Sequence, residues 1–148
     1  MYRCIPIARA VRGFFGTGEV MFVSLRPSTR GGELPSPKLE SFYKLLEKEG
    51  FENAHMTDLV KCRGPVGNIP DYHFQNCIPH LLEEIEILEP KMIVAVGKEA
   101  QKKLKENEIQ CRFIPHYAYR FKKRRISLRK ALKDIKEKLE EMKQFKVL

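Results

Sequence analysis

Tryptophan is missing from this chain of 148 residues. So is any apolar run near the ~18 residues of a membrane span, which leaves no candidate membrane helix. The N-terminus opens directly into Cys4-Ile5-Pro6, without the charged and apolar regions of a secretory leader, so a cytoplasmic protein is expected. Cysteine is sparse: Cys4, Cys62, Cys77 and Cys111 are all there are. Without a secretion signal, such thiols are more often free, metal-bound or catalytic than bridged. Internal repeats and low-complexity tracts are also missing. Acidic residues are in the minority, 19 against 28 Lys and Arg, for a formal charge of +9. That excess suits a polyanionic partner, nucleic acid first, although a solvated basic helix gives the same total. What is present is a globular balance of 43% hydrophobic and 32% charged residues, in a length that predicts a single domain over 1–148.

Apolar runs alternate with helical stripes. Glu19 to Leu25 reads as a buried strand, and Pro37 to Gly50 as a helix with Ser36 as N-cap and Pro37 at its first position. Leu39, Phe42, Tyr43, Leu45 and Leu46 share its apolar stripe. His55 to Lys61 is a second strand. Asp71 to Glu89 is a long helix with Leu81, Leu82, Ile85 and Leu88 inward, stopped by Pro90. Met92 to Gly97 is the clearest buried strand, Lys98 to Glu106 a helix, and Cys111 to Ile114 a fourth strand. A last amphipathic helix runs from about Ser127 to Phe145. The alternation predicts an α/β fold, a three-layer α/β/α sandwich on a four-stranded parallel sheet.

In such a sheet, groups just past the carboxyl ends of strands line the ligand crevice. Three loops qualify: Ser24 to Gly32, Cys62 to Pro70, and His116 to Arg120. His116 follows Pro115, which cannot donate to a sheet ladder and so ends the strand. It is placed like a working residue; a surface histidine in a basic loop is the alternative.

The loops together resemble the uracil-DNA glycosylase superfamily, most closely its iron–sulfur branch, family four. Thr57-Asp58-Leu59-Val60-Lys61-Cys62-Arg63 looks like that family's Thr-Asn-x-Val-Lys-Cys-Arg, with Gly67-Asn68-x-Pro70 after it. Cys77 follows Cys62 at close to the family's spacing. Pro90-Lys91-Met92-Ile93-Val94-Ala95-Val96-Gly97-Lys98-Glu99-Ala100 resembles Pro-Lys-x-Ile-Val-x-Leu-Gly-x-x-Ala. His116-Tyr117-Ala118-Tyr119 looks like His-Pro-Ala-Tyr. The resemblance runs from Cys4 to about Arg120 and implies strand order 2-1-3-4. It also implies a monomeric, non-membrane protein that acts on DNA, a hydrolase excising uracil or another damaged base in base-excision repair. His116 and Glu33 would then be catalytic, and Ser24, Leu25, Arg26 and Asp58 would hold the base. Ser28, Tyr119, Arg120, Lys122 and Lys123 would contact DNA.

Departures from the family pattern keep other readings open. Its first motif, Gly-x-Asp/Asn/Ala-Pro, is here Ser24-Leu25-Arg26-Pro27-Ser28, and arginine cannot serve as a general base. Glu33 is the nearest acid to the family's carboxylates. Phe42 or Tyr43 could replace an absent base-stacking ring, but both are expected in the core. The family's base-reading asparagine falls on Asp58. Ionised, it only accepts hydrogen bonds; it would repel uracil O4 and suit an exocyclic amine. Asp58 as the cap of a neighbouring turn is the plain alternative. The resemblance implies a four-iron–four-sulfur cluster on Cys4, Cys62 and Cys77, but the first cysteine of the family's N-terminal Cys-x-x-Cys falls on Met1, a poor ligand for such iron. Metal-free thiols are the alternative. A nucleic-acid-binding member without activity, and an iron–sulfur or interaction protein on the same fold, complete the set.

Overall fold

The computed structural model describes residues 19–26, 37–61, 69–117 and 122–146. Four strands, β1 (Val20–Ser24), β2 (His55–Asp58), β3 (Met92–Val96) and β4 (Arg112–Ile114), form one sheet of order β2-β1-β3-β4. Every neighbouring pair is parallel. The helices between and after them are α1 (Pro37–Lys48), α2 (Asp71–Leu88), α3 (Lys98–Glu106) and α4 (Lys122–Lys146). The expected fold class and strand order are both found.

Alternation along β1 assigns the two faces. Val20 and Phe22 join α1 and α4 through Phe42, Leu46, Leu128 and Leu132. Met21 and Val23 join α2 and α3 through Phe74, Cys77, Leu81 and Leu104. Both faces of the strands are therefore buried, which is why they read as continuous apolar runs. Phe42 and Tyr43 lie in the core, as expected. Gly50 closes α1 at φ 86°. Phe51 N–H donates to Leu46 C=O at 2.8 Å and Gly50 N–H to Glu47 C=O at 3.1 Å, a Schellman ending that needs the left-handed residue.

Some boundaries differ from expectation. The α4 helix begins at Lys122, not near Ser127, so Lys122-Lys123-Arg124-Arg125 is its first turn rather than a loop. The second strand ends at Asp58, although Leu59 and Val60 still donate to Ser24 and Leu25 carbonyls at 2.9 Å. Leu82 is 47% exposed, not inward. The sheet-facing stripe of α2 is Phe74, Cys77 and Leu81, and one residue onward turns a side chain about 100° away. Pro79 lies inside α2 without ending it; its ring is on the exposed side, where the carbonyl it leaves unpaired can meet water. Ser36 lies outside the described residues.

Candidate active site

The carboxyl ends of β1, β3 and β4 converge on a cavity of about 460 Å³. Leu25, Gly97, the first turn of α3 and His116 line it. A larger concavity of about 610 Å³, beside Lys91, Cys111 and Arg112, opens at the opposite end of the sheet. Position favours the smaller one, because ligands of parallel α/β sheets bind beyond the carboxyl ends.

His116 is held on two sides. Its ring stacks on Tyr117 with centroids 4.2 Å apart, and Tyr117 stacks on Phe42 of α1 at 4.9 Å. Behind it, Gly97 has φ 95°, and a Cβ built there would meet His116 Cβ at 3.3 Å. Gly97 N–H donates to Ile114 C=O at 2.9 Å, which ties the end of β3 to the end of β4. Burial holds the His116 imidazole below its ordinary pKa, with Lys38 adding to the effect and Glu99 opposing it. At neutral pH the ring is thus an uncharged N–H donor.

At the far edge of the sheet, Ser24 and Asp58 are Cα partners at the ends of β1 and β2. They are 5% and 7% exposed. Burial pushes the Asp58 carboxyl up to about 7; Lys61 opposes this and Glu84 adds to it. Lys61 itself is engaged on the other face. Its Nζ pairs with Glu84 at 2.7 Å and also bonds Thr57 Oγ1, while His55 Nε2 stands 3.5 Å from the same carboxylate. Glu84 would be pushed up by burial, but His55 and Lys61 draw it down to about 2. Leu25 and Arg26 are half-buried just past β1.

The strand ends thus carry an uncharged imidazole at the cavity and a buried carboxyl at the end of β2, outside the cavity's lining. A family model described as the uracil DNA glycosylase superfamily matches residues 14–141. The chain belongs to that superfamily. Two curated relatives are both described as type-4 uracil-DNA glycosylases. The one from Pyrobaculum aerophilum is 38% identical over 52 residues, covering 34% of this chain and 26% of its own. The one from Sulfurisphaera tokodaii is 33% identical over 92 residues, covering 57% and 42%. The chain therefore spans less than half the length of these relatives.

Within the superfamily frame, the fold brings Ser24, Leu25, Arg26, Asp58 and His116 to one end of the sheet. Glu33, Ser28, Tyr119 and Arg120 lie outside the described residues. Lys122 and Lys123 sit in the first turn of α4, and their side chains lie outside the described ones. Gly97 and the Phe42–Tyr117 stack were not assigned to the site from sequence. The glycine directly after the strongest strand was the available signal for the first; nothing local pairs Phe42 with Tyr117.

A four-iron cluster is held by four thiolates. Cys77 is buried, and its Sγ accepts the Lys61 backbone N–H at 3.5 Å. Cys4 and Cys62 lie outside the described residues. Cys111 precedes β4, at the opposite end of the sheet, and burial pushes its thiol up, away from thiolate character. Among the described residues no group of three or more metal-binding side chains occurs. With Met1 at the family's first cysteine position, the sequence carries three of the four family thiols, Cys4, Cys62 and Cys77.

Proposed function

We propose that the chain is a DNA glycosylase, a hydrolase that releases uracil or another deaminated or damaged base from DNA. The observation that carries this is His116: an uncharged imidazole, fixed between Tyr117 and Gly97 at a cavity beyond the strand ends, in a member of this superfamily. The base must first leave the stack, which costs a few kcal/mol. The bond between C1′ and the base nitrogen then breaks, and both electrons stay with the base. Water adds to C1′ and gives up a proton, and the departing base takes one up. His116 donates its N–H to the base as negative charge grows, which is the largest task of such a site. Backbone N–H groups after β1 help hold the base. Arg26 takes no proton from water, so Glu33 is the candidate acid for orienting it. Ser28, Tyr119, Arg120, Lys122 and Lys123 grip phosphates. No step depends on a cluster held by Cys4, Cys62 and Cys77. Work on DNA fits a cytoplasmic monomer.

A second reading is favoured by Arg26 and Asp58: a superfamily member that binds DNA without cleaving it. One experiment separates the two. Wild type and His116→Ala are incubated in single turnover with strands carrying uracil, hypoxanthine or xanthine, followed by alkaline cleavage. Loss of one fixed donor costs roughly 10²–10³ in rate. DNA affinity should hardly change, because a contact made in the transition state adds little to the ground state. Equal rates for the two proteins remove His116 from the mechanism. Absence of release from every strand, with DNA binding retained, selects the second reading.

A further inference from the structure

We propose that the outward face of the first half of α4 is a second phosphate-binding surface, on which Arg129, Lys130 and Lys133 hold the DNA beside the cavity. The inference rests on the reading that the chain acts on DNA, and it extends the contacts beyond Lys123 along the helix.

Charge is distributed unevenly along α4. From 122 to 133 the helix carries seven Lys and Arg and no acid, whereas from 134 to 146 it carries four Lys and four acids. This order runs against helix physics. Cations near an N-terminus oppose the macrodipole, and acids near a C-terminus do the same. Lys130 and Asp134, like Lys133 and Glu137, have the i,i+4 spacing, but with the cation first, the weaker order. Neither couple is joined; among the described residues the ion pairs within α4 are Lys138–Glu141 at 3.4 Å and Lys143–Glu140 at 4.0 Å.

Partners divide the cations in the same way. Lys136 Nζ donates to Gly50 C=O at 2.7 Å and lies 5.1 Å from the centre of the Phe51 ring. Lys138 has Glu141, and Lys143 also reaches Glu19 at 3.3 Å. These three cations are engaged by the fold. Arg129, Lys130 and Lys133 are exposed, and among the described residues their side chains form no ion pair or hydrogen bond. A polyanion would supply the missing counter-charge.

Position puts them at the cavity end. Met142 lines the concavity at the amino end of the sheet, and Lys143 meets Glu19 just before β1. A strand the length of β3 spans about 17 Å, the rise of about eleven helical residues. Counted back from Met142, α4 reaches the carboxyl ends of the strands near Ala131, and its first turns stand beyond them. Arg129, Lys130 and Lys133 fall within about 100° around the helix axis, away from the buried Leu128, Leu132 and Ile135. Arg129 and Lys133 are about 6 Å apart along that axis, close to two phosphate steps of one strand at about 3.4 Å each.

The test measures affinity for an undamaged duplex of about 20 base pairs by fluorescence anisotropy across a salt series. The variant is Arg129→Gln/Lys130→Gln/Lys133→Gln. A control, Lys48→Gln/Lys105→Gln/Arg112→Gln, removes the same charge from exposed residues at the amino end of the sheet. Three lost phosphate contacts should flatten the slope of log affinity against log salt by about 2.7, and lower affinity near ~0.1 M salt by on the order of 10²-fold. The control should change the slope by less than about 1. Equal changes in the two triple variants, or an unchanged slope in the first, overturn the proposal. Wild type alone provides a second measurement, which stands even if a variant fails to fold. Bound duplex should protect Lys130 and Lys133, but not Lys48 and Lys105, from acetylation by an N-hydroxysuccinimide ester, read by mass spectrometry. Equal labelling of Lys130 and Lys133 with and without DNA overturns the proposal. Release of uracil from a deoxyuridine strand tests the glycosylase reading separately. Release without protection keeps that reading and removes this surface. Protection without release keeps the surface on a protein that binds DNA and does not cleave it.

Discussion

Replacing Gly97 by alanine should damage the site through geometry rather than chemistry. Gly97 has φ 95° and ψ 161°, a region open almost only to glycine, where another residue costs about 1–3 kcal/mol. The added Cβ would also stand 3.3 Å from His116 Cβ and 3.4 Å from its Cδ2. His116 must give by a few tenths of an ångström. Its other side is closed by Tyr117, which in turn lies on Phe42, so the ring must tilt instead of sliding back. A misplacement of 1 Å can cost ~10²-fold in rate, so a tilt of this size should cost roughly 5- to 10-fold. The backbone strain should lower Tm by roughly 3–10 °C, at about 3 °C per kcal/mol for a chain of this length. Calorimetry and single-turnover base release read the two effects. Repeating the substitution in His116→Ala separates them: the Tm loss should remain, and no further rate loss should appear. An unchanged Tm and rate for Gly97→Ala would refute the reasoning. So would an equal rate loss in both backgrounds.

Stability should depend on pH through two groups of opposite sign. Glu84 is drawn down to about 2, so its contribution is present above its ordinary 4.5 and is lost as pH falls. Asp58 is pushed up from 3.8 to about 7, so stability is full below 3.8 and is lost as pH rises through 7. The alkaline loss is at most roughly 4 kcal/mol. Urea unfolding at about pH 5 and pH 8 should therefore show Asp58→Asn gaining on wild type at the higher pH; a pH-independent difference contradicts the assignment. DNA affinity should drop steeply with salt, and charge reversal at Lys122 and Lys123 should weaken all sequences alike. Salt-independent binding to a short duplex would sink the electrostatic account. In α2, Leu81→Ala should cost about 2–5 kcal/mol, whereas Leu82→Ala should stay within about 0.5 kcal/mol. Equal losses by urea unfolding would mean that Leu82 is covered after all.

Much of the architecture was legible in the chain. Continuous apolar runs such as Val20-Met21-Phe22-Val23 are what parallel strands covered on both faces require. Gly50 marked a helix end because only a left-handed residue completes that turn. His116 could be singled out because Pro115 ends a ladder. The family motifs pointed to the superfamily, since they occur in order along the sequence. Element ends were less legible. Lys122 to Arg125 has no apolar stripe of its own, yet it continues α4, whose stability comes from Leu128, Leu132, Ile135 and Leu139 against the sheet.

The tertiary structure alone decided the electrostatics of the site. Nothing in Thr57-Asp58-Leu59 says whether Asp58 carries a charge; that depends on burial at the end of β2 and on Lys61 being bound to Glu84 across 23 positions of sequence. Nothing near Gly97 says that a histidine 19 positions later fills the space a Cβ would need. Propensity and periodicity are local properties, and the chain displays them directly. A pKa, a ring stack or a forbidden Cβ arises from groups brought together by folding, and these exist only in three dimensions.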